Sequence, residues 1–291
     1  MSVAGLTAGD KAEILVEALP YIRRFRNKVV VVKYGGNAMG RSASADEQLA
    51  LFAEDVVLLR AVGMDIVVVH GGGPQIGELM ARLGKVPAFV DGLRVTDAET
   101  LDIVRMVLVG KVNRDIVAAV NVHGAPAVGV SGEDAGLLAA RPRSAALGFV
   151  GDIDEVRPAI LQRLVSQELV PVVATIGTDE TGQAYNINAD TAAGAIAEAL
   201  GAEKLVYLTD VEGLRRRAAD PASVCSTVTV DELDAMIADG SVAGGMVPKA
   251  MSCVRALKGG VGHAHILDGR VAHALLLEVF TRSGIGTMVE R

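Results

Sequence analysis

Two glycine turns and two lysines bring together the residue types that phosphate chemistry uses. The turns occupy 35–36 and 71–73, and each follows a valine-rich segment and precedes a helical pattern. Glycine lets backbone N–H groups approach an anion, and the N-terminus of the next helix adds positive potential. A single glycine pair is explained equally well by a tight turn, but two such turns at strand ends favour anion binding.

Lys33 and Lys249 are the candidate cations near these turns. Lys33 ends the first valine run, and Lys249 opens a helical pattern after the glycines at 244–245. Asp190 starts another helical pattern, where it either caps that helix or holds both ammonium groups in place. Phosphoryl transfer needs positioned charge, metal-bound nucleotide phosphates and an aligned acceptor. A carboxylate acceptor is already nucleophilic at neutral pH, which fits a sequence with no obvious base near these motifs.

Other readings of the glycine motifs fit less well. The chain has no GxxxxGK[ST] sequence, which excludes a P-loop, and 71–77 misses the GxGxxG dinucleotide pattern by one position. The HGGG sequence also occurs in the oxyanion loop of esterases, but these need a GxSxG turn, and 129–133 has the wrong spacing. His263 and His265 alternate like a metal-binding pair without a clear third ligand, so we predict no metal site.

The hydrophobic pattern predicts an α/β fold that places these motifs at one edge. Valine clusters at 29–32 and 67–69 are typical of strands buried on both faces, as in a mainly parallel sheet covered by helices. Ligands bind beyond the carboxyl ends of such strands, where the two glycine turns and Thr209-Asp210 should lie. We predict strands near 28–33, 65–70, 126–130, 137–141, 149–156, 170–176, 204–209 and 263–267, with hairpins at 86–95 and 172–187. We predict helices near 10–27, 45–62, 74–83, 96–122, 158–168, 190–200, 229–239, 247–258 and 271–279, with capping boxes at Thr96 and Thr229.

Composition limits the partners. The 35 acidic and 28 basic residues give a net charge of −7, and aromatic residues make up only 3%, which argues against nucleic acid. We predict no membrane span, because every stretch of about 20 residues contains charges or turn signals. Two cysteines without a CxxC pair indicate a reducing cytoplasm. The helix at 10–27, with a kink predicted at Pro20, belongs to no strand–helix–strand unit and packs either on its own subunit or on a neighbouring one.

Taken together, these motifs resemble those of the amino acid kinase family. The resemblance covers almost the whole chain from about residue 12 and is greatest to members that phosphorylate the side-chain carboxylate of N-acetyl-L-glutamate in arginine biosynthesis. It implies a three-layer αβα sandwich with a mainly parallel central sheet. The matching motifs are VKYGGN (32–37), VHGGGP (69–74), GLRVT (92–96), NINAD (186–190), LTDVEG (208–213) and GGMVPK (244–249).

The resemblance also implies a role for each site residue. Lys33 and Lys249 would stabilise the transferring phosphoryl group, and Asp190 would organise both lysines. The implied ligand contacts are Gly71 and Gly72 on the reacting carboxylate, Gly35 and Gly36 on the phosphate, Arg94 on the other carboxylate, Asn186 on the amino-acid portion, and Thr209, Asp210 and Gly213 near ATP. Mg²⁺ would be held mainly by the nucleotide phosphates.

The two ends of the chain resemble the arginine-inhibited members of the family. In those relatives, N-terminal helices interlace three dimers into a hexamer, and L-arginine acts as a feedback inhibitor. We would expect arginine near Lys204, His265, Glu278 and Gly284. The chain would then divide into an oligomerisation arm (1–27), an acetylglutamate-binding and dimerising lobe (28–187) and a lobe for ATP and arginine (188–291).

Two alternatives remain open. One is a sibling kinase for carbamate, aspartate, glutamate or a nucleoside monophosphate, which Arg94 and the C-terminal sequence argue against. The other is a catalytically silent arginine-sensing module, which the presence of both lysines and Asp190 argues against.

Overall fold

A computed structural model describes residues 5–35, 43–90, 92–124, 126–217, 220, 223–281 and 284–291. The helices are α1 (Ala8–Phe25), α2 (Ala43–Ala61), α3 (Gly73–Arg82), α4 (Ala98–Val107), α5 (Asn113–Val122), α6 (Ala159–Ser166), α7 (Ala189–Ala199), α8 (Val230–Ala238), α9 (Met246–Lys258) and α10 (Ala274–Phe280). The strands are β1 (Val29–Tyr34), β2 (Asp65–His70), β3 (Phe89–Val90), β4 (Leu93–Arg94), β5 (Ala127–Ser131), β6 (Leu138–Pro142), β7 (Val150–Val156), β8 (Val170–Ala174), β9 (Ile176–Thr178), β10 (Ala184–Ile187), β11 (Lys204–Thr209), β12 (Thr227–Thr229), β13 (His263–Asp268) and β14 (Thr287–Glu290).

One sheet runs through the molecule in the order β12-β14-β13-β11-β1-β2-β8-β5. Its strand pairs are parallel except for β13 with β14. The central strand β1 pairs with β2 on one side and with β11 on the other, so the carboxyl ends of these three strands meet.

Helices cover both faces of this sheet. Val31 packs in one hydrophobic cluster with side chains of α6, α7, α8 and α9. Its neighbours Val30 and Val32 pack in the other cluster, with side chains of α2, α3, α4, α5 and α10. Because successive strand residues point to opposite faces, a continuous valine run serves both layers. The predicted three-layer sandwich is confirmed.

Two smaller sheets complete the fold. Strands β10, β7, β6 and β9 form a small closed barrel, and β3 pairs with β4 in a short antiparallel hairpin. The hairpin confirms the prediction at 86–95. The hairpin predicted at 172–187 is shorter, because 170–174 forms β8 of the main sheet and only β9 pairs with β10.

The capping prediction is confirmed at Thr229 and wrong at Thr96. Thr229 and Glu232 form both hydrogen bonds of a capping box at the start of α8. At α4 the cap is instead Asp97, whose side chain accepts from the N–H of Thr100. Thr96 is buried and donates to the carbonyl of Arg94, so its hydroxyl is already engaged elsewhere.

Local irregularities account for the other differences from the sequence predictions. The helix predicted at 96–122 is interrupted by a π-helical turn at Leu108–Val112. The short edge strand β12 and its neighbour β14 were not predicted, because neither has a long alternating pattern. Helix α1 runs continuously past Pro20, and the kink there stays a prediction.

The boundary predicted at 187/188 falls between β10 and α7, but β1 and β11 of the main sheet join the two halves, so the division into lobes stays a prediction. Among the described residues, no helix is both long and apolar enough to span a bilayer.

Candidate active site

Three elements bring Lys33, Asp190 and Lys249 together at the carboxyl ends of the central strands. Lys33 Nζ lies 3.0 Å from Asp190 Oδ1, and Lys249 Nζ lies 2.7 Å from Asp190 Oδ2. The residues come from β1 and from the first turns of α7 and α9, and all three are buried. Each carboxylate oxygen therefore faces one ammonium group.

The local structure of α7 frees the Asp190 carboxylate for this contact. Asn188 is the cap of the helix, and its side-chain oxygen accepts from the N–H groups of Asp190 and Thr191 at 3.0 Å each. Of the two roles that the sequence left open for Asp190, capping is therefore excluded by the geometry.

Charge in the cluster is unbalanced. Burial raises the pKa of the Asp190 carboxyl, but attraction by Lys33 and Lys249 outweighs burial, so the pKa lies below its ordinary value. Burial lowers the pKa of Lys33, with an opposing attraction by Asp190 and a further lowering by Lys249. One carboxylate shared by two lysines leaves excess positive charge that an anion would neutralise.

Two buried hydroxyl groups, those of Ser252 and Tyr207, form hydrogen bonds that hold the backbone of Asp190. This contact was not predicted from the sequence. Ser252 Oγ donates to the carbonyl of Asp190 at 2.9 Å, and Tyr207 Oη lies 2.7 Å from Ser252 Oγ. Burial raises the pKa of Tyr207 well above its ordinary value, so the phenol keeps its proton. The spacing could have indicated it, because Ser252 lies one helical turn after Lys249 and therefore on the same side of α9.

The two glycine turns meet beside this cluster. A Cβ on Gly35, where φ is +154°, would lie 3.1 Å from the backbone nitrogen of Gly71. A Cβ on Gly71 would lie 3.3 Å from the Cβ of Ala189. Helix α3 begins directly after Gly72, so its N-terminal N–H groups face the same region. Gly36 lies outside the described residues.

A cavity of about 230 Å³ opens next to the cluster. Its lining includes six of the residues predicted from sequence: Lys33, Gly71, Gly72, Arg94, Asn186 and Asp190. Cationic groups and backbone N–H groups are thus concentrated around one small space, which suits an anionic ligand.

Arg94 and Asn186 line the side of the cavity formed by the hairpin and the barrel. Arg94 Nη2 donates to the carbonyl of Gly73 at 2.9 Å, and its guanidinium lies 4.9 Å from the centre of the Phe89 ring. Asn186 Nδ2 donates to Thr96 Oγ1 at 3.2 Å, and Thr96 Oγ1 donates to the carbonyl of Arg94. Burial lowers the pKa of Arg94, but a guanidinium remains charged at neutral pH.

The predicted nucleotide residues are divided between two environments. Thr209 ends β11, and its hydroxyl donates to Asp210 Oδ1 at 3.2 Å. Asp210 is close enough to Lys33 to raise the pKa of that lysine. Gly213 packs instead against β14, where a Cβ would lie 2.6 Å from Thr287 Oγ1, so a packing reason already accounts for this glycine.

The residues predicted for arginine form a second cluster on β11, β13 and α10. Glu278 Oε1 accepts from Lys204 Nζ at 3.1 Å, and His265 Nδ1 lies 2.9 Å from the same oxygen. The N–H of Ile285 donates to Glu278 Oε2 at 3.2 Å. Burial raises the pKa of Glu278, but His265 and Lys204 outweigh it and hold that pKa at about 2.

A larger cavity, of about 490 Å³, adjoins this second cluster. Lys204, Glu278 and Gly284 line it together with Tyr21 and Phe25 of α1. His265 is fully buried behind the others, and its ring is 6.3 Å from that of His263. Within the described ranges, no group of three His, Cys, Asp or Glu residues is arranged to hold a metal ion.

The sequence that forms most of this central sheet and contributes the two buried lysines matches a known protein family. Residues 28–268 match the sequence profile of the amino acid kinase family. The chain belongs to this family, and the resemblance predicted from the motifs is confirmed.

Particular relatives narrow the comparison. The chain is 55% identical to an acetylglutamate kinase of Symbiobacterium thermophilum over 289 residues, 96% of this chain and 97% of that protein. Among solved structures, N-acetylglutamate synthase from Neisseria gonorrhoeae complexed with coenzyme A and N-acetyl-glutamate superposes with a TM-score of 0.84 at 29% identity. The same synthase complexed with coenzyme A and L-arginine gives a TM-score of 0.78 at 27% identity. The match covers 96% of this chain but only 63% and 65% of the two synthase chains.

Proposed function

We propose that this chain transfers the γ-phosphoryl group of ATP to the side-chain carboxylate of N-acetyl-L-glutamate. The O–P bond to the carboxylate forms, the bond between the γ-phosphorus and the bridging oxygen breaks, and ADP leaves with the electron pair. The product, N-acetyl-L-glutamyl 5-phosphate, is formed in the second step of arginine biosynthesis. The observation that carries the proposal is the cluster of Lys33, Asp190 and Lys249 beside the small cavity, together with 55% identity to an acetylglutamate kinase.

The charge of the cluster supports phosphoryl transfer. Two ammonium groups held by one carboxylate attract the transferring group and the bridging oxygen, where negative charge develops. Asp190 remains ionised because its pKa is lowered, so it holds the lysines and does not take up a proton. The acceptor carboxylate needs no base, since it is ionised at neutral pH.

The cavity supports a dicarboxylate acceptor. The N–H groups of Gly71 and Gly72 hold the reacting carboxylate near Lys33, while Arg94 binds the other carboxylate and Asn186 binds the amino-acid portion. Gly35 holds the phosphate from the side of β1, and the role of Gly36 stays a prediction. Binding both ends of the substrate fixes the distance between the reacting oxygen and the phosphorus.

ATP approaches from the end of β11, next to β1. Thr209 and Asp210 frame the nucleotide on that side, and the nucleotide role of Gly213 stays a prediction. When bound with ATP, Mg²⁺ neutralises charge on the phosphate oxygens. The Asp210 carboxylate at this edge would be within the protein's usual contribution to such an ion, which takes one or two carboxylates from the protein and its other ligands from phosphates and water.

We also propose that L-arginine inhibits the enzyme from the second cavity. Glu278 offers a buried carboxylate for a guanidinium, Lys204 and Gly284 line the pocket beside it, and His265 supports Glu278 from the buried side. The Neisseria synthase solved with L-arginine supports this assignment through its similar fold. Because Phe25 of α1 lines the same cavity, bound arginine would lie where the N-terminal helix contacts the rest of the chain.

The cytoplasmic location of the protein stays a prediction.

A hydroxamate assay tests the function directly. Purified chain with ATP, Mg²⁺ and N-acetyl-L-glutamate should form an acyl phosphate that hydroxylamine traps, and added L-arginine should suppress the signal. A parallel assay measures ADP release with other acceptors, namely carbamate, aspartate, glutamate and a nucleoside monophosphate. It tests the alternative that the chain is a sibling kinase. A higher rate with any of these, or no hydroxamate, would overturn the acetylglutamate assignment, and a rate insensitive to arginine would overturn the inhibitor assignment alone.

A further inference from the structure

A chain of buried hydrogen bonds lies behind the glycine turn at 71–73. His70, the last residue of β2, is fully buried, and its Nε2 lies 3.1 Å from Asn113 Nδ2. Asn113 Nδ2 also donates to the carbonyl of Val172 at 2.8 Å, and Arg114 donates to Asn113 Oδ1. On the other side of the ring, His70 Nδ1 lies 2.9 Å from the carbonyl oxygen of Gly71.

These partners leave only one tautomer for the His70 ring. Val172 supplies an acceptor and Arg114 a donor, so the amide of Asn113 must present an N–H to His70 Nε2. Nε2 then carries no hydrogen, and Nδ1–H donates to the carbonyl of Gly71. Burial lowers the pKa of His70 to about 4, and Arg114 adds to this lowering, so the ring is neutral at neutral pH.

The tautomer sets the direction of the peptide between Gly71 and Gly72. In a trans peptide the C=O and N–H groups point to opposite sides. With the carbonyl of Gly71 held towards His70, the N–H of Gly72 points the other way. Both glycines line the cavity beside Lys33, so this N–H is available to a ligand there.

The π-helical turn at Leu108–Val112 packs closely against Gly72. A Cβ on Gly72 would lie 2.7 Å from Leu108 Cδ2 and 3.2 Å from Val112 Cγ2. The turn ends directly before Asn113, whose side chain it delivers to His70. Single π-turns of this kind are frequent at functional sites because they alter the phase of the helix that follows.

We propose that His70 and Asn113 are positioning residues for the acceptor carboxylate. They hold the Gly71–Gly72 peptide so that the N–H of Gly72 meets the reacting carboxylate. This inference rests on the proposed function, because it assigns that N–H to N-acetyl-L-glutamate.

A pair of substitutions at one position tests the role. His70→Asn keeps an N–H donor near the position of Nδ1, whereas His70→Leu removes it. We expect His70→Leu to lower kcat/KM for N-acetyl-L-glutamate by about 10- to 100-fold, with KM for ATP unchanged; this is less than the roughly 100- to 1000-fold cost of losing a donor outright, because the N–H is displaced and not removed. His70→Asn should restore most of that loss.

Ile116→Ala provides the control for a purely structural effect. Ile116 is fully buried on α5, near Asn113 but outside the hydrogen-bonded chain. It should lower the melting temperature while leaving KM for N-acetyl-L-glutamate unchanged. If His70→Leu behaves like Ile116→Ala, or if both His70 variants lose activity equally, the positioning role is wrong.

The protonation of the two ring nitrogens of His70 provides a second test. It requires neither an activity assay nor a substitution that could unfold the protein. The chain has five histidines, so selective ¹⁵N labelling gives few imidazole signals. His70 should show a protonated Nδ1 and an unprotonated Nε2 at neutral pH, and Asn113→Asp should add a proton at Nε2. A protonated Nε2 in the unsubstituted chain would overturn the inference, whereas inactive unsubstituted protein with the expected tautomer would overturn the proposed function only.

Discussion

The charged cluster affects turnover mainly through its two lysines, Lys33 and Lys249, and folding stability mainly through Asp190. The buried cluster holds two positive charges and one negative charge. Removing one lysine leaves a balanced pair, whereas removing the carboxylate leaves two buried ammonium groups that face each other, with only the weaker attraction of Asp210 for Lys33. The cost of an unpaired buried charge is far larger than that of a lost surface contact.

We expect Lys33→Ala and Lys249→Ala to lower turnover by about 100-fold or more while changing stability much less, because each removes charge from the transition state but leaves a paired carboxylate. Asp190→Asn should lower the free energy of unfolding by about 3–5 kcal/mol. Steady-state kinetics and urea unfolding measure both quantities on the same preparations.

The pH dependence of stability separates these variants further. In Asp190→Asn the lysines bind protons more weakly when folded than when unfolded, so stability should rise with pH as they lose a proton. Urea unfolding at neutral and alkaline pH would show this rise in Asp190→Asn but not in Lys249→Ala. Equal stability of the two variants at every pH would contradict the charge argument.

At the scale of the elements, α10 is held at its start by a residue from a distant helix. Asp55 of α2 is buried, and its Oδ1 lies 2.6 Å from His273 Nδ1. Its Oδ2 accepts from the N–H of Leu275 at 3.3 Å. The Asp55 carboxylate thus caps the N-terminus of α10, the helix that carries Glu278.

Asp55→Ala should loosen α10 and weaken inhibition by arginine, because Glu278 then lies on a helix without its N-terminal partner. We expect faster hydrogen exchange of the α10 N–H groups and a higher arginine concentration for half inhibition, with KM for N-acetyl-L-glutamate unchanged. Asp46→Ala, in the first turn of the same helix α2, is the control. Unchanged exchange in α10 would remove Asp55 from this role.

The sequence allowed the regular elements to be predicted much better than the contacts between them. Valine runs and glycine turns specify the central strands locally, and Lys33 and Asp190 stand out because they follow such runs or begin a helix. The support given to Asp190 by Tyr207 and Ser252 depends on three elements meeting in space. The π-turn before Asn113 likewise has no local composition signal, since Leu, Val, Gly and Lys all occur in ordinary helices.

At the scale of the whole molecule, α1 presents an apolar face that the rest of the described residues leave exposed. Leu15 and Val16 are 71% and 69% exposed, and Leu19, on the same side of the helix, is also exposed. We propose that this face joins dimers into a hexamer, as in the relatives that the ends of the chain resemble. A contiguous exposed apolar surface of this kind marks an interaction site.

Deleting residues 1–27 should yield dimers, and sedimentation velocity would measure the change. Leu15→Lys should have the same effect, since it places a charge on the apolar face. Glu17→Gln changes the charge by the same amount about 200° around the helix and should leave the hexamer intact. Hexamers that persist after the deletion would overturn the role of α1.

The strand order also has a consequence during synthesis of the protein. Strand β1 receives its first partner, β2, early, but its second partner, β11, starts only at Lys204, which pairs with Val30. Until the ribosome has released that segment, a valine-rich strand edge remains open to other chains, and such edges promote aggregation. Nascent protein should therefore depend on chaperones until late in translation, and no truncated product that lacks β11 can assemble the charged cluster.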